Sequence, residues 1–242
     1  MSPDTQRAER LAYFMLKKVK KTLSDYQMIA DGDRIAVAVS GGKDSLGLLT
    51  LLRFRQRCVS ERYELVAVHV RGDARGPDTP THPPLEAWLQ AQGIEYLVVP
   101  LDLPPDEPLP LSCQRCTWNR RKTIFQAADR LGCNVVAYAH HADDLAQTAL
   151  LNLFYAGRLE TMALQADYFA GRFRLIRPLA FVPEKELVDL ARACDFPPPP
   201  STCPQASHSR RTRVAQILRQ IERHNHQART NVIRAALRER AG

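Results

Sequence analysis

Two glycines framed by hydroxyls and followed by a cation form the run Ser40-Gly41-Gly42-Lys43-Asp44-Ser45, directly after the apolar stretch Ile35–Val39. A strand that breaks into glycines and then opens a helix suits a phosphate. Glycine lets the backbone approach an anion closely, and the N–H groups of the first helical turn point at it with the positive dipole end behind them. Lys43 adds a point charge, and Ser40 and Ser45 add hydroxyl donors. The Walker loop of ordinary NTPases is excluded. Val37 stands where its first glycine belongs, and Asp44 rather than Ser or Thr follows the lysine.

Two further groups of residues carry chemistry. Ala139-His140-His141-Ala142-Asp143-Asp144 places two carboxylates at a helix start beside imidazoles. Such carboxylates can hold the magnesium that neutralises a triphosphate, or simply cap the helix. Cys113-Gln114-Arg115-Cys116 is a CxxC with Arg120, Arg121 and Lys122 close behind, and Cys203 follows just after the Pro197–Pro200 stretch. Thiolates at i and i+3 converge on one metal or cluster. Three cysteines suit a 4Fe–4S cluster with one open iron; zinc held by Cys113, Cys116, Cys203 and a histidine such as His208 is the alternative. Cys58, Cys133 and Cys194 have no such partners and read as small core residues.

The elements that must position these groups follow from periodicity. Leu11, Phe14, Met15, Val19 and Leu23 make an amphipathic N-terminal helix. Strands are expected at Ile35–Val39, Leu65–Val70, Ile94–Val99 and Asn134–Ala139. Helices are expected at Asp44–Gln56, Leu85–Gln92, Cys116–Leu131 and Ala142–Tyr155, and through most of the chain after Pro183. This alternation predicts an open parallel sheet with helices on both faces. Ligands then bind beyond the carboxyl ends of the strands, which puts the Ser40 loop, the region of His69 and the Asp144 segment on one rim.

With 242 residues, 45% hydrophobic and 25% charged, the chain is an ordinary globular protein of one α/β core plus an appendage. No apolar signal core or run of about 18 apolar residues occurs, so a cytoplasmic protein without membrane association is expected. Six cysteines are too few for a disulfide framework at this size. The net charge of +8 is concentrated at the end, where Ser201–Gly242 holds 9 Arg against 2 Glu. A block of that kind suits a polyanion, nucleic acid first. The expected division is a helical segment 1–30, a nucleotide-binding unit 31–200 and a basic helical tail 201–242.

The Ser40–Ser45 run resembles the SGGxDS pyrophosphate loop of the N-type ATP pyrophosphatases. The order of that loop, the CxxC, a GHHxDD-like segment and a late cysteine is similar to the tRNA 2-thiocytidine synthetases. Asp25–Ile29, Asn152–Leu159 and Ile176–Ala180 resemble stretches of the same family. The resemblance spans about Leu16 to Arg219. It implies ATP-dependent thiolation of a tRNA cytidine through an adenylated intermediate, releasing AMP and pyrophosphate. It further implies a Rossmann-like fold and a 4Fe–4S cluster on Cys113, Cys116 and Cys203. Ser40, Gly41, Gly42, Lys43, Asp44, Ser45, Ala139 and Asp144 are the implied nucleotide site, with Lys43, Asp44 and Asp144 catalytic and magnesium as companion ion. A cysteine desulfurase system is the expected sulfur source and tRNA the partner; a homodimer is left open.

Three departures from the family pattern stand out, one of them the loop after Val70 up to Pro84, where substrate differences are expected. Ala139 replaces its usual glycine, and Pro200 and Ala206 occupy the positions three away from Cys203 where a second CxxC would place a thiol. Uridine 2-thiolation and lysidine-type modification of cytidine use related loops, although the latter needs no CxxC. A non-catalytic ATP- or RNA-binding zinc protein is the reading from another class.

Overall fold

The computed structural model describes residues 3–200 and 210–239. Helix α1 (Pro3–Asp25) precedes β1 (Arg34–Ala38), α2 (Lys43–Gln56), β2 (Glu64–Arg71), α3 (Pro83–Ala91) and β3 (Glu95–Pro100). Then come α4 (Cys113–Arg130), β4 (Val135–Ala137), α5 (Ala142–Ala156), β5 (Gln165–Tyr168) and β6 (Phe173–Ile176). Helices α6 (Glu184–Ala193), α7 (Arg210–Glu222) and α8 (Ala228–Glu239) complete the order. The six strands form one sheet in the order β3-β2-β1-β4-β6-β5. All neighbours are parallel except β5, which runs antiparallel to β6 along the edge.

Side-chain alternation along the central strands divides the core into two layers. Ile35, Val37, Ala67, Val135 and Ala137 face one side, where they pack with residues of α1, α2, α3, α5, α6, α7 and α8. Ala36, Val66, Val68, Val136 and Leu175 face the other, which among the helices is covered by α4 through Ile124, Phe125, Ala127 and Ala128. Each large aliphatic side chain fully buried in these layers contributes about 1.5–3 kcal/mol. Gly47 lets α2 and α6 approach, since a Cβ there would sit 2.9 Å from Leu187 Cδ2. At the amino ends of the strands, buried Asp33 accepts from the Ala30 N–H at 2.7 Å and from Asn134 Nδ2 at 2.7 Å, and pairs with Arg174 at 3.2 Å. That one carboxylate ties β1, β4 and β6 together.

The strands and helices expected up to Pro183 are all present, with ends shifted by at most three residues, and helix follows in α6, α7 and α8; of the helical tail expected over 201–242, residues 201–209 and 240–242 lie outside the described residues. The hairpin β5–β6 is the addition. Its strands have four residues each and carry Asp167 and Arg174, which leave little apolar alternation to read. The sheet is therefore mixed at one edge rather than wholly parallel. Cys133 is buried and Cys194 half-buried, whereas Cys58 is exposed, which corrects its assignment to the core. It closes α2, where its N–H reaches the Arg55 carbonyl at 2.8 Å. No helix among the described residues is long and apolar enough to cross a membrane.

Candidate active site

Strand order reverses between β1 and β4, and their carboxyl ends open a crevice there. The loop after β1 fills one side. Gly41 has φ +83°, and a Cβ on it would lie 2.9 Å from the Pro200 ring, so only glycine fits without strain. Ser45 Oγ donates to the Gly42 carbonyl at 2.8 Å and accepts from the Ser40 N–H at 3.2 Å, which closes the loop on itself. Gly42 is the N-cap of α2, and no side chain caps that helix. Its first N–H groups are thus open to an anion.

Opposite lies the segment after β4. Asp144 Oδ2 accepts from the His141 N–H at 3.1 Å, capping α5, and Asp144 Oδ1 pairs with Arg211 of α7 at 3.1 Å. His141 Nε2 stands 3.8 Å from Asp44 Oδ2 and 3.4 Å from Asp144 Oδ2, bringing the two carboxylates to one point. Burial draws the His141 pKa down, but the three surrounding aspartates outweigh it and hold it above the usual imidazole value. Burial likewise raises the Asp44 carboxyl above its ordinary range despite Lys43 and His141. Asp44 Oδ1 is buried without a hydrogen-bond partner among the described residues. An orphaned, desolvated carboxylate oxygen beside a second carboxylate fits a magnesium that arrives with phosphates and its own waters. Among the described residues no preassembled group of three His, Cys, Asp or Glu ligands exists.

Other sequence-predicted residues are placed differently. Lys43 Nζ lies 2.9 Å from Glu184 Oε1 and 3.1 Å from Asp44 Oδ2. Those partners offset its burial and raise its pKa. Asp143 turns from the crevice, accepting from the Glu184 N–H at 2.8 Å and pairing with Arg229 of α8 at 3.1 Å. Despite burial, those partners and His141 keep its carboxyl below the ordinary range. Glu184, Arg211 and Arg229 were invisible to motif reading because their contacts cross long stretches of chain. Ala139 lines the crevice with Ser40, Asp44, Ser45, His140 and Asp144, around a cavity of about 330 Å³. His69 Nδ1 is 2.8 Å from the Val39 carbonyl, fixing the end of β2 to the loop. The tail helices share the main core through Val214, Leu218, Ala228 and Ile233.

The thiols enter from α4. Cys113 and Cys116 occupy its first turn, the former exposed and the latter half-buried. Thr117 and Arg120, each four residues on and hence on the same helical face, line the crevice. Ser112 caps α4, its Oγ accepting from the Arg115 N–H at 3.2 Å. Two thiols one turn apart suit a cluster as a donor set. Cys203 and His208 lie outside the described residues; Pro200, three residues before Cys203, touches the phosphate loop at Gly41.

A doubly wound sheet with an uncapped glycine loop at its switch point defines a nucleotide-binding α/β protein, and residues 14–197 match the PP-loop domain ATP_bind_3. A tRNA-cytidine(32) 2-sulfurtransferase of Teredinibacter turnerae is 37% identical, covering 88% of this chain and 73% of the relative. One of Methylobacillus flagellatus is 33% identical over 93% of this chain and 76% of the relative. The chain belongs to the PP-loop family and, within it, to the tRNA-cytidine(32) 2-sulfurtransferases. Its fold is shared by the U34-tRNA thiolase NcsA from Methanococcus maripaludis, solved with its [4Fe-4S] cluster. That likeness has a TM-score of 0.76 at 24% identity, over 96% of this chain and 79% of the other.

Proposed function

We propose that this protein thiolates the 2-position of a tRNA cytidine, position 32 by the names of its relatives, at the expense of ATP. The observation that carries the reading is the shared crevice: an uncapped phosphate-type helix end and a CxxC helix face the same cavity. The β and γ phosphates rest on the Ser40–Ser45 loop, with Lys43 exchanging Glu184 for phosphate oxygens. Asp44 and Asp144 would hold a magnesium arriving with the phosphates, which would supply charge neutralisation there. The cytidine O2 attacks the α-phosphorus, the bridging P–O bond breaks and pyrophosphate leaves; the loop's N–H groups and Lys43 stabilise its growing charge. A sulfur nucleophile then adds at C2 and AMP departs with the oxygen.

Cys113, Cys116 and, by family resemblance, Cys203 would hold a 4Fe–4S cluster, whose chemistry when bound is to present sulfur near the activated carbon. Residues 1–30 brace the sheet, 31–200 carry the chemistry and the basic segment 201–242 engages tRNA phosphates. Exposed Arg213, Arg219 and Arg223 are available for that contact. A cysteine desulfurase system is the proposed sulfur source.

The test is mass spectrometry of tRNA nucleosides from cells with and without the gene. Loss of 2-thiocytidine, restored by wild type but not by Cys203→Ala, is the expected result. Loss of lysidine or a thiouridine would reassign the acceptor, and an unchanged profile would sink the tRNA reading.

A further inference from the structure

The sheet face that α4 covers leaves a second cavity beside the crevice, of about 640 Å³, between α4 and the β5–β6 hairpin. Its floor is aromatic. Phe125 lies 5.3 Å from the rings of Tyr168 and Phe173 and 5.4 Å from that of Phe169, measured between centroids. Its lips are Trp118 and Phe169, which are 54% and 66% exposed. Phe169 and Ala170 hold positive φ values of 54° and 51°, an unfavoured conformation for side chains with a Cβ. The hairpin therefore spends conformational energy to present an aromatic ring to solvent.

The charge around the cavity is basic. Arg121, Lys122 and Arg172 line it against the single carboxylate of Asp129, which Arg172 engages at 2.9 Å. Lys122 pairs with Asp102 at 2.7 Å, whereas Arg121 pairs with no carboxylate among the described residues. Arg121 also lines the nucleotide crevice, so one guanidinium borders both cavities. Its neighbour on the helix, Trp118, is covered by the Arg115 guanidinium at 5.1 Å.

Aromatic faces supply stacking that any base can use, and unpaired cations supply a path for the backbone. We infer that the Trp118–Phe169 cavity is a stacking site for an unpaired nucleobase of the RNA substrate, adjacent to the cytidine in the crevice, with Arg121 on the intervening phosphate. Three basic side chains against one carboxylate around an aromatic floor match a base with its phosphates, and this charge balance favours RNA as the occupant. The inference rests on the tRNA reading above and assigns a subsite within it.

The test uses the full-length protein and an anticodon stem-loop RNA with 2-aminopurine beside the target cytidine. Wild type should quench the probe on binding. Phe169→Ala and Trp118→Ala should each lose most of that quenching and weaken RNA binding about tenfold, as lost base stacking does. Arg121→Ala should lower the salt slope of binding by about one. Circular dichroism matching wild type in all three variants, and ATP affinity matching wild type in the two aromatic variants, would confirm that they fold. Quenching and affinity retained in both aromatic variants overturn the stacking site while wild-type thiolation leaves the tRNA reading standing. So does a change of molecular mass by ultracentrifugation without change in RNA affinity, which would make the patch a contact between copies. A wild type that neither binds the stem-loop nor thiolates tRNA overturns both.

Discussion

Helices α2 and α4 both open toward the same crevice, yet they begin in opposite ways. The N-cap of α2 is Gly42, which offers no side chain, so the helix end is left for an outside anion. The N-cap of α4 is Ser112, whose hydroxyl satisfies the Arg115 N–H from within. A helix that caps itself gives up its claim on phosphate and is free to display something else. On α4 that is a pair of thiols. Under the proposed function, the contrast divides the work: backbone on one helix for the anion, side chains on the other for soft-ligand chemistry.

Removing the thiols gives the largest expected effect and the most direct attempt to break this division. Cys113→Ala or Cys116→Ala should abolish thiolation in a tRNA assay while ATP affinity by equilibrium dialysis stays within about twofold of wild type. A matching loss of ATP affinity would merge the two helix ends into one function. Lys43→Ala comes next. Adenylation, followed by ATP–pyrophosphate exchange, should fall about a hundredfold or more, with iron content and thiol chemistry unaffected.

Ser112→Ala should cost only about 1 kcal/mol of stability, read as a small drop in melting temperature, because it uncovers one helix donor. If Ser112→Ala instead cost ATP binding, the self-capped end would be taking part in phosphate recognition after all.

The smallest effect concerns the imidazoles between the two helices. Burial, assisted by Arg177, lowers His140 to about 4, and burial lowers His69 against the opposing pull of the Val39 carbonyl. For such groups the unfolded chain binds more protons than the folded one between the lowered value and about 6.5, so stability rises with pH across that window. Acid titration should therefore erode the share of stability that His140 and His69 carry from about pH 6.5 down toward pH 4, against the opposite contribution of the raised His141, and His140→Asn should make stability fall less steeply with acid than in wild type. An unchanged slope would mean that His140 is exposed to solvent and titrates normally.

Much of this arrangement was legible from residue types alone. The Ser40–Ser45 run carries its conformational demand in its glycines, and β1, β2 and β4 carry continuous apolar residues that only a doubly covered parallel sheet buries. The four-residue strands β5 and β6 were not legible, since Asp167 and Arg174 interrupt any alternation. Nor were the partners of the rim. That Asp143 would turn to Arg229 and Asp144 to Arg211 depends on how α7 and α8 fold back on α5, a packing outcome without local signature. Lys43 is the instructive middle case. Its motif was plain, but its partner Glu184 lies 141 residues along the chain.

Helix α4 carries the cysteines, the crevice-lining Thr117 and Arg120, and the aromatic lip Trp118 on one continuous rod. It thereby acts as a ruler whose graduations are set by helical rise, so substitutions within it alter one mark at a time. An inserted or deleted residue between Cys116 and Arg120 would instead swing everything on its far side by about 100°. Length polymorphism should thus be tolerated in the loops at either end of this helix and forbidden inside it.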